Sequence, residues 1–152
     1  MFNILIKKMK KKLYTPRLIK YKKYLDKRGH LVPFEIKKNK IKINNLFSFP
    51  IKRIFFSLGK KNYFRGDHAH KKCSQLLICL NGSVNIETID YSKKNIFNIS
   101  RNNNLALLIP PMVWNRLYFK SNNSLLTVLC DYKYDNKNEY INDYNEFKRL
   151  SI

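Results

Sequence analysis

Two histidines placed two residues apart are the feature of this sequence best suited to chemistry. His68 and His70 lie in the stretch RGDHAHKK. Side chains along a β-strand alternate between faces, so both imidazoles are expected on the same face. Imidazole titrates near a pH of about 6.5, which makes the pair a candidate acid and base. The alternative is a pair of surface histidines beside Lys71 and Lys72.

Further polar residues follow the histidines at a recognisable spacing. Gln75 follows His70 with four residues between them, and Gly82 follows Gln75 with six between them. This spacing resembles the first motif of the cupin superfamily, H-x-H-x(3,4)-E-x(6)-G, with Gln75 at the carboxylate position. Residues 110–115 resemble its second motif, P-x-G-x-x-H, with Asn115 in place of the histidine. Neutral amides are poor ligands for transition metals, so this set of side chains argues against a metal site.

The segments that carry these residues have the sequence pattern of an all-β domain. Short runs rich in β-branched and aromatic residues recur roughly every 8–12 residues, separated by turn residues. The pattern predicts a sandwich or barrel of jelly-roll type with a short C-terminal helix between residues 135 and 147, and the motif resemblance implies that it is a cupin jelly-roll β-barrel. The predicted strands lie near residues 30–36, 50–57, 75–80, 83–90, 95–99, 105–109, 115–119 and 125–130.

Several local details of this fold are also predicted. Asn81 and Gly82 between two apolar runs indicate a β-hairpin. Alternation in residues 83–90 places Val84, Ile86 and Thr88 on one face. Residues 37–45 are polar and are predicted to be a connection, and residues 65–67 a turn that leads into the histidine strand.

Positive charge is concentrated at the start of the chain. The 152 residues include 31 Lys and Arg and 10 Asp and Glu, for a formal net charge of +21, and 15 of the 31 basic residues lie in the first 42 positions. We interpret the charge mainly as solvated surface, with no specific nucleic-acid partner. A nucleic-acid binder, the alternative, would show steeply salt-dependent binding. The composition divides the chain into a basic leader, 1–23, and a cupin domain, 24–152.

The three cysteines and the apolar opening bear on cellular location. Cys73, Cys79 and Cys130 form no C-x-x-C pair and lie in or beside apolar runs. They are predicted to be buried small hydrophobes in a protein of the reducing cytoplasm. The opening MFNILI is too short to span a bilayer and has the wrong order for a signal peptide, so no membrane association is expected.

A longer pattern around the histidines resembles one cupin family. Residues 65–75 resemble the R-G-x-H-A-H-K-x-x-x-Q signature of the sugar 3,4-ketoisomerases, which are metal-independent cupins acting on dTDP-4-keto-6-deoxyglucose. Four further segments resemble that family in the same order, so that the likeness covers residues 26 to about 148. They are DKRGHLVPFE (26–35), FPIKRIFF (49–56), LLIPPMVW (107–114) and residues 134–147.

The resemblance implies a reaction and a set of site residues. The reaction moves the ketone of a dTDP-linked 4-keto-6-deoxyhexose from C4 to C3 through an enediol, without a cofactor. It serves deoxysugar biosynthesis for surface polysaccharides such as lipopolysaccharide or S-layer glycans, in a cytoplasmic homodimer. His68 and His70 are the implied acid/base pair. The implied substrate-binding residues are Arg53, Arg65, Lys71, Gln75, Trp114 and Asn115.

One departure from the family pattern concerns a hydroxyl group. Phe55 and Phe56 stand where family members carry tyrosines after K-R-V, and Tyr63 is the candidate replacement for the missing phenol. Two alternatives to the isomerase therefore stay open. One is a non-catalytic cupin that binds a nucleotide-sugar, and the other is a metal-dependent cupin enzyme.

Overall fold

The computed structural model describes residues 15–91 and 93–151, within which antiparallel strands dominate. The strands are β1 (Arg17–Lys20), β2 (Tyr24–Asp26), β3 (Gly29–Leu31), β4 (Glu35–Lys37), β5 (Lys40–Lys42), β6 (Ser48–Pro50), β7 (Arg53–Gly59), β8 (Phe64–His70), β9 (Gln75–Asn81), β10 (Ser83–Asp90), β11 (Lys93–Ser100), β12 (Leu105–Ile109), β13 (Trp114–Phe119), β14 (Ser124–Cys130) and β15 (Tyr140–Ile141). A helix, α1 (Tyr144–Leu150), follows them.

Two five-stranded sheets form the body of the domain. The first has the strand order β1-β12-β9-β14-β7 and the second has the order β11-β10-β13-β8-β15. Buried side chains of both sheets meet in one core, with Leu77 and Val128 from the first sheet against Val84 and Ile86 from the second. The predicted all-β jelly roll is confirmed, and its strands form two facing sheets rather than one continuous barrel wall.

The N-terminal segment covers the outer face of the first sheet. Strands β4, β5 and β6 form a small sheet of their own. Ile41 and Phe49 from this small sheet are buried in one cluster with Ile78 and Leu108 of the first sheet. Strands β9, β12 and β14 of the first sheet are therefore buried on both faces, as their near-continuous apolar sequences require, whereas the edge strand β7 leaves Ile54, Phe56 and Leu58 exposed on one face.

Two predictions for this segment were wrong. Residues 37–45, predicted to be a polar connection, contain β5, whose Ile41 is 4 % exposed. The sequence pattern does not reveal this strand, because its one buried side chain lies between two exposed lysines. Lys38 and Asn39 have φ values of 50° and 58°, which suit the tight turn between β4 and β5. Residues 30–36 form parts of two strands, since the chain leaves extended pairing at Val32–Phe34, around Pro33.

The leader boundary predicted at residue 23 also differs from the structure. Residues 17–20 form β1, which pairs with residues 105–108 of β12. Tyr21 is 2 % exposed, and its backbone N–H donates to the Asn104 carbonyl oxygen over 3.1 Å. Residues 17–21 therefore belong to the domain, and residues 1–14 lie outside the described residues.

The predicted hairpin at Asn81–Gly82 was wrong. The strand before it, β9, pairs with β12 and β14, whereas the strand after it, β10, pairs with β11 and β13. Gly82, with φ 74°, therefore sits at a corner where the chain passes from one sheet to the other. The alternation predicted for residues 83–90 is confirmed, with Val84, Ile86 and Thr88 all fully buried.

The predicted C-terminal helix is confirmed at residues 144–150. Its N-cap is Asp143, whose side chain accepts a hydrogen bond from the backbone N–H of Glu146 over 2.6 Å. Phe147 packs with Trp114, Ala69 and Ile141 on the outer face of the second sheet. The helix thereby closes the side of β8 that faces away from the core.

Candidate active site

A cavity of about 510 Å³ opens between the two sheets, at the strands that carry the histidine motif. This volume is in the range of small-molecule sites. Its polar lining comes from two strands of the first sheet, β7 and β9, and three strands of the second, β8, β13 and β15. The lining residues with polar side chains are Arg53, Ser57, Arg65, His68, Gln75, Asn115 and Tyr140.

A bulge in β8 aims the first histidine into this cavity. Asn115 of β13 pairs with His68, whereas the next residue, Arg116, pairs with Gly66, so Asp67 is left over. Gly66 and Asp67 have φ values of 86° and 63°. A Cβ atom at Gly66 would lie 2.9 Å from the backbone oxygen of Asn115. The bulge thus requires glycine, and it replaces the turn predicted at residues 65–67.

The side chain of Asp67 fastens the bulge from its outer side. Its Oδ1 accepts hydrogen bonds from the indole N–H of Trp114 over 3.2 Å and from Nε of Arg116 over 3.0 Å. Arg116 Nη2 lies 2.5 Å from the same oxygen. These contacts stabilise the bulge on which the position of His68 depends.

Backbone contact fixes the protonation pattern of His68. Its Nδ1 lies 3.1 Å from the carbonyl oxygen of Gly66. A carbonyl oxygen only accepts, so Nδ1 carries the hydrogen and Nε2 is the basic nitrogen of the neutral ring. Burial lowers the pKa of His68, and this outweighs the opposing effects of the Gly66 hydrogen bond and of Asp67. The ring is therefore uncharged at neutral pH, and its Nε2 can accept a proton.

His70 lies beside His68 but deeper, 5 % exposed, and outside the residues that line the cavity. The two imidazole rings are 5.0 Å apart in an edge-on arrangement. Burial, followed by the charges of His68 and Arg53, lowers the pKa of His70 to about 3. Among the described residues neither ring nitrogen has a hydrogen-bond partner, and the nearest carboxylate oxygen, on Glu139, is 3.9 Å from Nδ1.

Tyr140 completes a cluster of three rings around the pair. It lies directly opposite His70 in the β15–β8 pairing. Its ring centroid is 4.6 Å from that of His70 and 5.0 Å from that of His68. No periodicity of the sequence marks Tyr140, because β15 is two residues long and joins β8 from a distant part of the chain. The resemblance of residues 134–147 to the family was the available signal.

Two arginines supply positive charge to the cavity. The Arg53 guanidinium lies between two aromatic rings, 4.7 Å from the centroid of Phe55 and 4.6 Å from that of Tyr134. Arg65 lines the cavity on the strand that carries the histidines. Neither arginine forms an ion pair with any carboxylate of residues 15–91 and 93–151, so both remain available to an anion.

Two amide side chains face the same space. Asn115 is 1 % exposed and donates from Nδ2 to the backbone oxygen of His68 over 3.2 Å. Gln75 is 7 % exposed, and its Nε2 lies 4.0 Å from the sulfur of Cys130. The structure thus brings together six of the eight predicted site residues, five in the cavity lining and His70 immediately behind it.

Lys71 and Trp114 do not belong to this cavity, contrary to prediction. Trp114 precedes Asn115 on β13, so the two side chains lie on opposite faces of the strand. The indole packs instead against Tyr144 and Phe147, with ring centroids 5.1 and 5.6 Å away. Lys71 lies in the turn after β8, where its exposed side chain is absent from the lining.

The described residues hold no group of three or more His, Cys, Asp or Glu side chains arranged to bind a metal ion. Residues 15–91 and 93–151 also contain no helix that is both long and apolar enough to cross a membrane. The three cysteines are free and buried, as predicted.

The facing sheets and the cavity lined by His68 define a jelly-roll protein of the cupin type. The profile of the FdtA family, described as WxcM-like, C-terminal, matches residues 14–151. The chain belongs to this family, which confirms the resemblance found in the sequence.

Individual relatives agree with this assignment. The chain is 34 % identical over 134 residues to a TDP-4-oxo-6-deoxy-alpha-D-glucose-3,4-oxoisomerase of Aneurinibacillus thermoaerophilus, covering 88 % of this chain and 90 % of that one. It is 35 % identical to the sugar 3,4-ketoisomerase QdtA of Thermoanaerobacterium thermosaccharolyticum in complex with TDP, with a TM-score of 0.77 and coverage of 91 % and 96 %. WlaRA of Campylobacter jejuni, a TDP-fucose-3,4-ketoisomerase, is 32 % identical, with a TM-score of 0.74 and coverage of 91 % and 96 %.

Proposed function

We propose that this protein is a dTDP-sugar 3,4-ketoisomerase, which moves the ketone of a dTDP-linked 4-keto-6-deoxyhexose from C4 to C3. The observation that carries the proposal is the placement of a neutral histidine, His68, in one cavity with two unpaired arginines. An anionic ligand and a proton acceptor are thereby brought together. The relatives described above carry out this reaction on TDP-linked sugars.

His68 is the base of the proposed mechanism. The C3–H bond of the 4-keto sugar breaks, its proton passes to Nε2, and the electron pair forms an enediolate with negative charge on O4. The Gly66 carbonyl oxygen stabilises the imidazolium that results, since Nδ1–H already donates to it. Proton return to C4 then leaves the ketone at C3.

His70 is the second member of the acid/base pair. Its lowered pKa keeps it neutral when His68 is protonated, so that the two rings do not carry adjacent positive charges. The ring lies edge-on to His68 at 5.0 Å and fixes one wall of the space in which the imidazolium forms. We assign it the role of proton relay behind His68.

Substrate binding rests on four cavity residues. Arg53 and Arg65 bind the diphosphate, because guanidinium groups match phosphate oxygens in geometry and charge. Gln75 and Asn115 present amides to the sugar and donate hydrogen bonds to its oxygens. Lys71 and Trp114 have no place in this assignment.

A non-catalytic nucleotide-sugar-binding protein is the second candidate. Phe55 and Phe56 both line the cavity, where hydroxyl groups of the family pattern are missing. Such a protein would retain the arginines and bind dTDP without turnover. A metal-dependent enzyme is less well supported, since the cavity offers His68 with two neutral amides as potential ligands.

The proposed enzyme is a cytoplasmic homodimer of surface-polysaccharide deoxysugar biosynthesis. Large apolar side chains lie exposed on the N-terminal hairpin and the small sheet, with Leu25 70 %, Leu31 63 % and Ile36 63 % exposed. Exposed apolar side chains of this kind favour self-association through the same surface on both copies. The unpaired, buried thiols suit a reducing compartment.

Incubation with dTDP-4-keto-6-deoxyglucose in deuterated water, followed by NMR, tests the proposed function. An isomerase forms a 3-keto product that carries deuterium at C4. Binding of dTDP with neither product nor deuterium incorporation would establish the binding protein instead.

A further inference from the structure

The Arg53 guanidinium is held by aromatic rings rather than by a carboxylate. Its central carbon, Cζ, lies 4.7 Å from the ring centroid of Phe55, two residues along β7, and 4.6 Å from that of Tyr134. The face of an aromatic ring carries partial negative charge, so both rings attract the cation. Among residues 15–91 and 93–151 the guanidinium forms no ion pair and no hydrogen bond.

The loop that carries Tyr134 is tied down at both ends. It begins after β14, whose Cys130 lies opposite Arg53 of β7, and it ends at β15, which pairs with β8. Within the loop, Oδ1 of Asp135 accepts a hydrogen bond from the backbone N–H of Asn138 over 3.1 Å. The side chain of Tyr134 is 57 % exposed, but the backbone next to it is therefore held in place.

A guanidinium that is already in place binds an anion better than a mobile one. Arginine has many rotamers, and ordering the side chain when a ligand binds costs conformational free energy. An aromatic ring restrains the guanidinium without accepting its N–H hydrogens in conventional hydrogen bonds, so these donors stay free for phosphate oxygens. Arg53 lines the cavity and Tyr134 does not. The Tyr134 ring is thus placed to act on a ligand through Arg53.

We infer that Tyr134 is a positioning residue of the substrate site, whose ring holds the Arg53 guanidinium where the diphosphate of the nucleotide sugar binds. The inference rests on the proposed function, which assigns the diphosphate to Arg53 and Arg65. The ring acts and the phenol hydroxyl is not needed. Because the diphosphate takes no part in the proton transfers, the contribution of Tyr134 falls on binding rather than on the chemical step.

Binding of TDP, measured by titration calorimetry at fixed ionic strength, tests this role. The Tyr134→Ala variant lacks the ring and should raise the Kd for TDP by roughly fivefold, or about 1 kcal/mol, the size of a cation–π contact. The conservative variant Tyr134→Phe keeps the ring and should bind TDP like the wild type. In steady-state kinetics with dTDP-4-keto-6-deoxyglucose, Tyr134→Ala should raise KM by a similar factor and change kcat much less.

The matched control is Tyr91→Ala. Tyr91 is 54 % exposed, similar to Tyr134, and does not line the cavity. Its removal should leave the Kd for TDP and the KM unchanged. If Tyr134→Ala melts far below the wild-type temperature, Tyr134→Leu replaces it, because leucine fills part of the same space and has no ring face for the cation; the expected rise in Kd is the same.

A double-mutant cycle shows whether Tyr134 acts through Arg53. The Arg53→Ala variant should raise the Kd for TDP by roughly tenfold or more, because it removes charge-assisted hydrogen bonds to phosphate. Adding Tyr134→Ala to Arg53→Ala should weaken binding no further, since the ring then has no guanidinium to hold.

Three results would overturn the role of Tyr134. They are a Tyr134→Ala variant that binds TDP like the wild type, a Tyr134→Phe variant that binds as weakly as Tyr134→Ala, and a fivefold loss that persists in the Arg53→Ala background. A wild-type protein that neither binds TDP nor forms a 3-keto product would overturn the proposed function itself. A wild type that does both, with an unaffected Tyr134→Ala variant, would overturn this inference alone.

Discussion

His68 and Gly66 are joined by a hydrogen bond within a single strand, in which Nδ1 of the imidazole donates to the carbonyl oxygen two residues earlier over 3.1 Å. This contact exists because β8 bulges at Gly66 and Asp67, both of which have positive φ. The bulge therefore decides which nitrogen of His68 is basic and which way that nitrogen faces.

Substitution of Gly66 by alanine tests the importance of the bulge. An added Cβ would lie 2.9 Å from both the backbone and the side-chain oxygen of Asn115, at a φ value that L-residues rarely adopt. We expect Gly66→Ala to lower the free energy of unfolding by about 2 kcal/mol or more and to lower kcat. Urea denaturation and steady-state kinetics measure the two effects.

The control for this substitution is Gly29→Ala. Gly29 also has positive φ, 122°, but a Cβ there would meet nothing within 4 Å. This variant carries backbone strain without the collision, and kcat should be unchanged. A Gly66→Ala protein as stable and active as wild type would show that the bulge does not set the position of His68.

Truncation of the N-terminus separates the two parts of the predicted leader. Deletion of residues 1–14 is expected to leave stability and turnover near wild type. Deletion of residues 1–23 removes β1 and the buried Tyr21 and exposes the edge of β12, and should cost about 2 kcal/mol or more of stability. Thermal unfolding of both proteins measures the difference, and equal stability would contradict the assignment of β1 to the domain.

Burial of His70 predicts a specific pH dependence of stability. Its pKa in the folded protein is about 3, below the value of about 6.5 in the unfolded chain. The unfolded chain therefore binds the extra proton first, and stability is lost as the pH falls from about 6.5 towards 3, by up to about 1.4 kcal/mol per pH unit. The His70→Asn variant lacks this contribution. As the pH falls from about 6.5 towards 3, its free energy of unfolding should therefore decrease less than that of the wild type.

A difference that stays constant between pH 6.5 and pH 3 would contradict the buried, neutral state of His70. Urea denaturation at fixed ionic strength across this range supplies the measurement. Groups that do not contact residue 70 contribute equally to both proteins and cancel in the comparison.

Metal removal is expected to leave the enzyme active. The cavity offers His68 together with the amides of Gln75 and Asn115, and amides bind transition metals weakly compared with imidazole or carboxylate. EDTA treatment followed by a turnover assay should give the rate of untreated protein. A stoichiometric metal whose loss abolishes turnover, and whose return restores it, would show that the reaction is metal-dependent.

Local patterns predicted the parts of the fold that depend on neighbouring residues. The alternation of Val84, Ile86 and Thr88 places one face of β10 in the core, because a half-buried strand must alternate. Asn81–Gly82 indicated a turn correctly but a hairpin wrongly, since turn residues do not specify which sheet the next strand joins. Strand β5 was missed because Ile41 is a single apolar residue between lysines.

The site was predictable to the extent that a motif carried it. His68, His70 and Gln75 follow from one short stretch of sequence, whereas Trp114 was misplaced because the face of β13 is set by pairing with two neighbouring strands. Tyr140 reaches the cavity through a two-residue strand about seventy positions after the histidines, and no local pattern encodes such a contact.

The most direct test of the account is the rate of the His68→Asn variant. Asparagine keeps a hydrogen-bonding side chain of smaller size and cannot act as a base, so product formation from dTDP-4-keto-6-deoxyglucose should fall by roughly 10²-fold or more. Deuterium incorporation from solvent should fall with it, while TDP affinity and the melting temperature stay near the wild-type values. A His68→Asn protein that turns over and incorporates deuterium at the wild-type rate would contradict the assignment of His68 as the base.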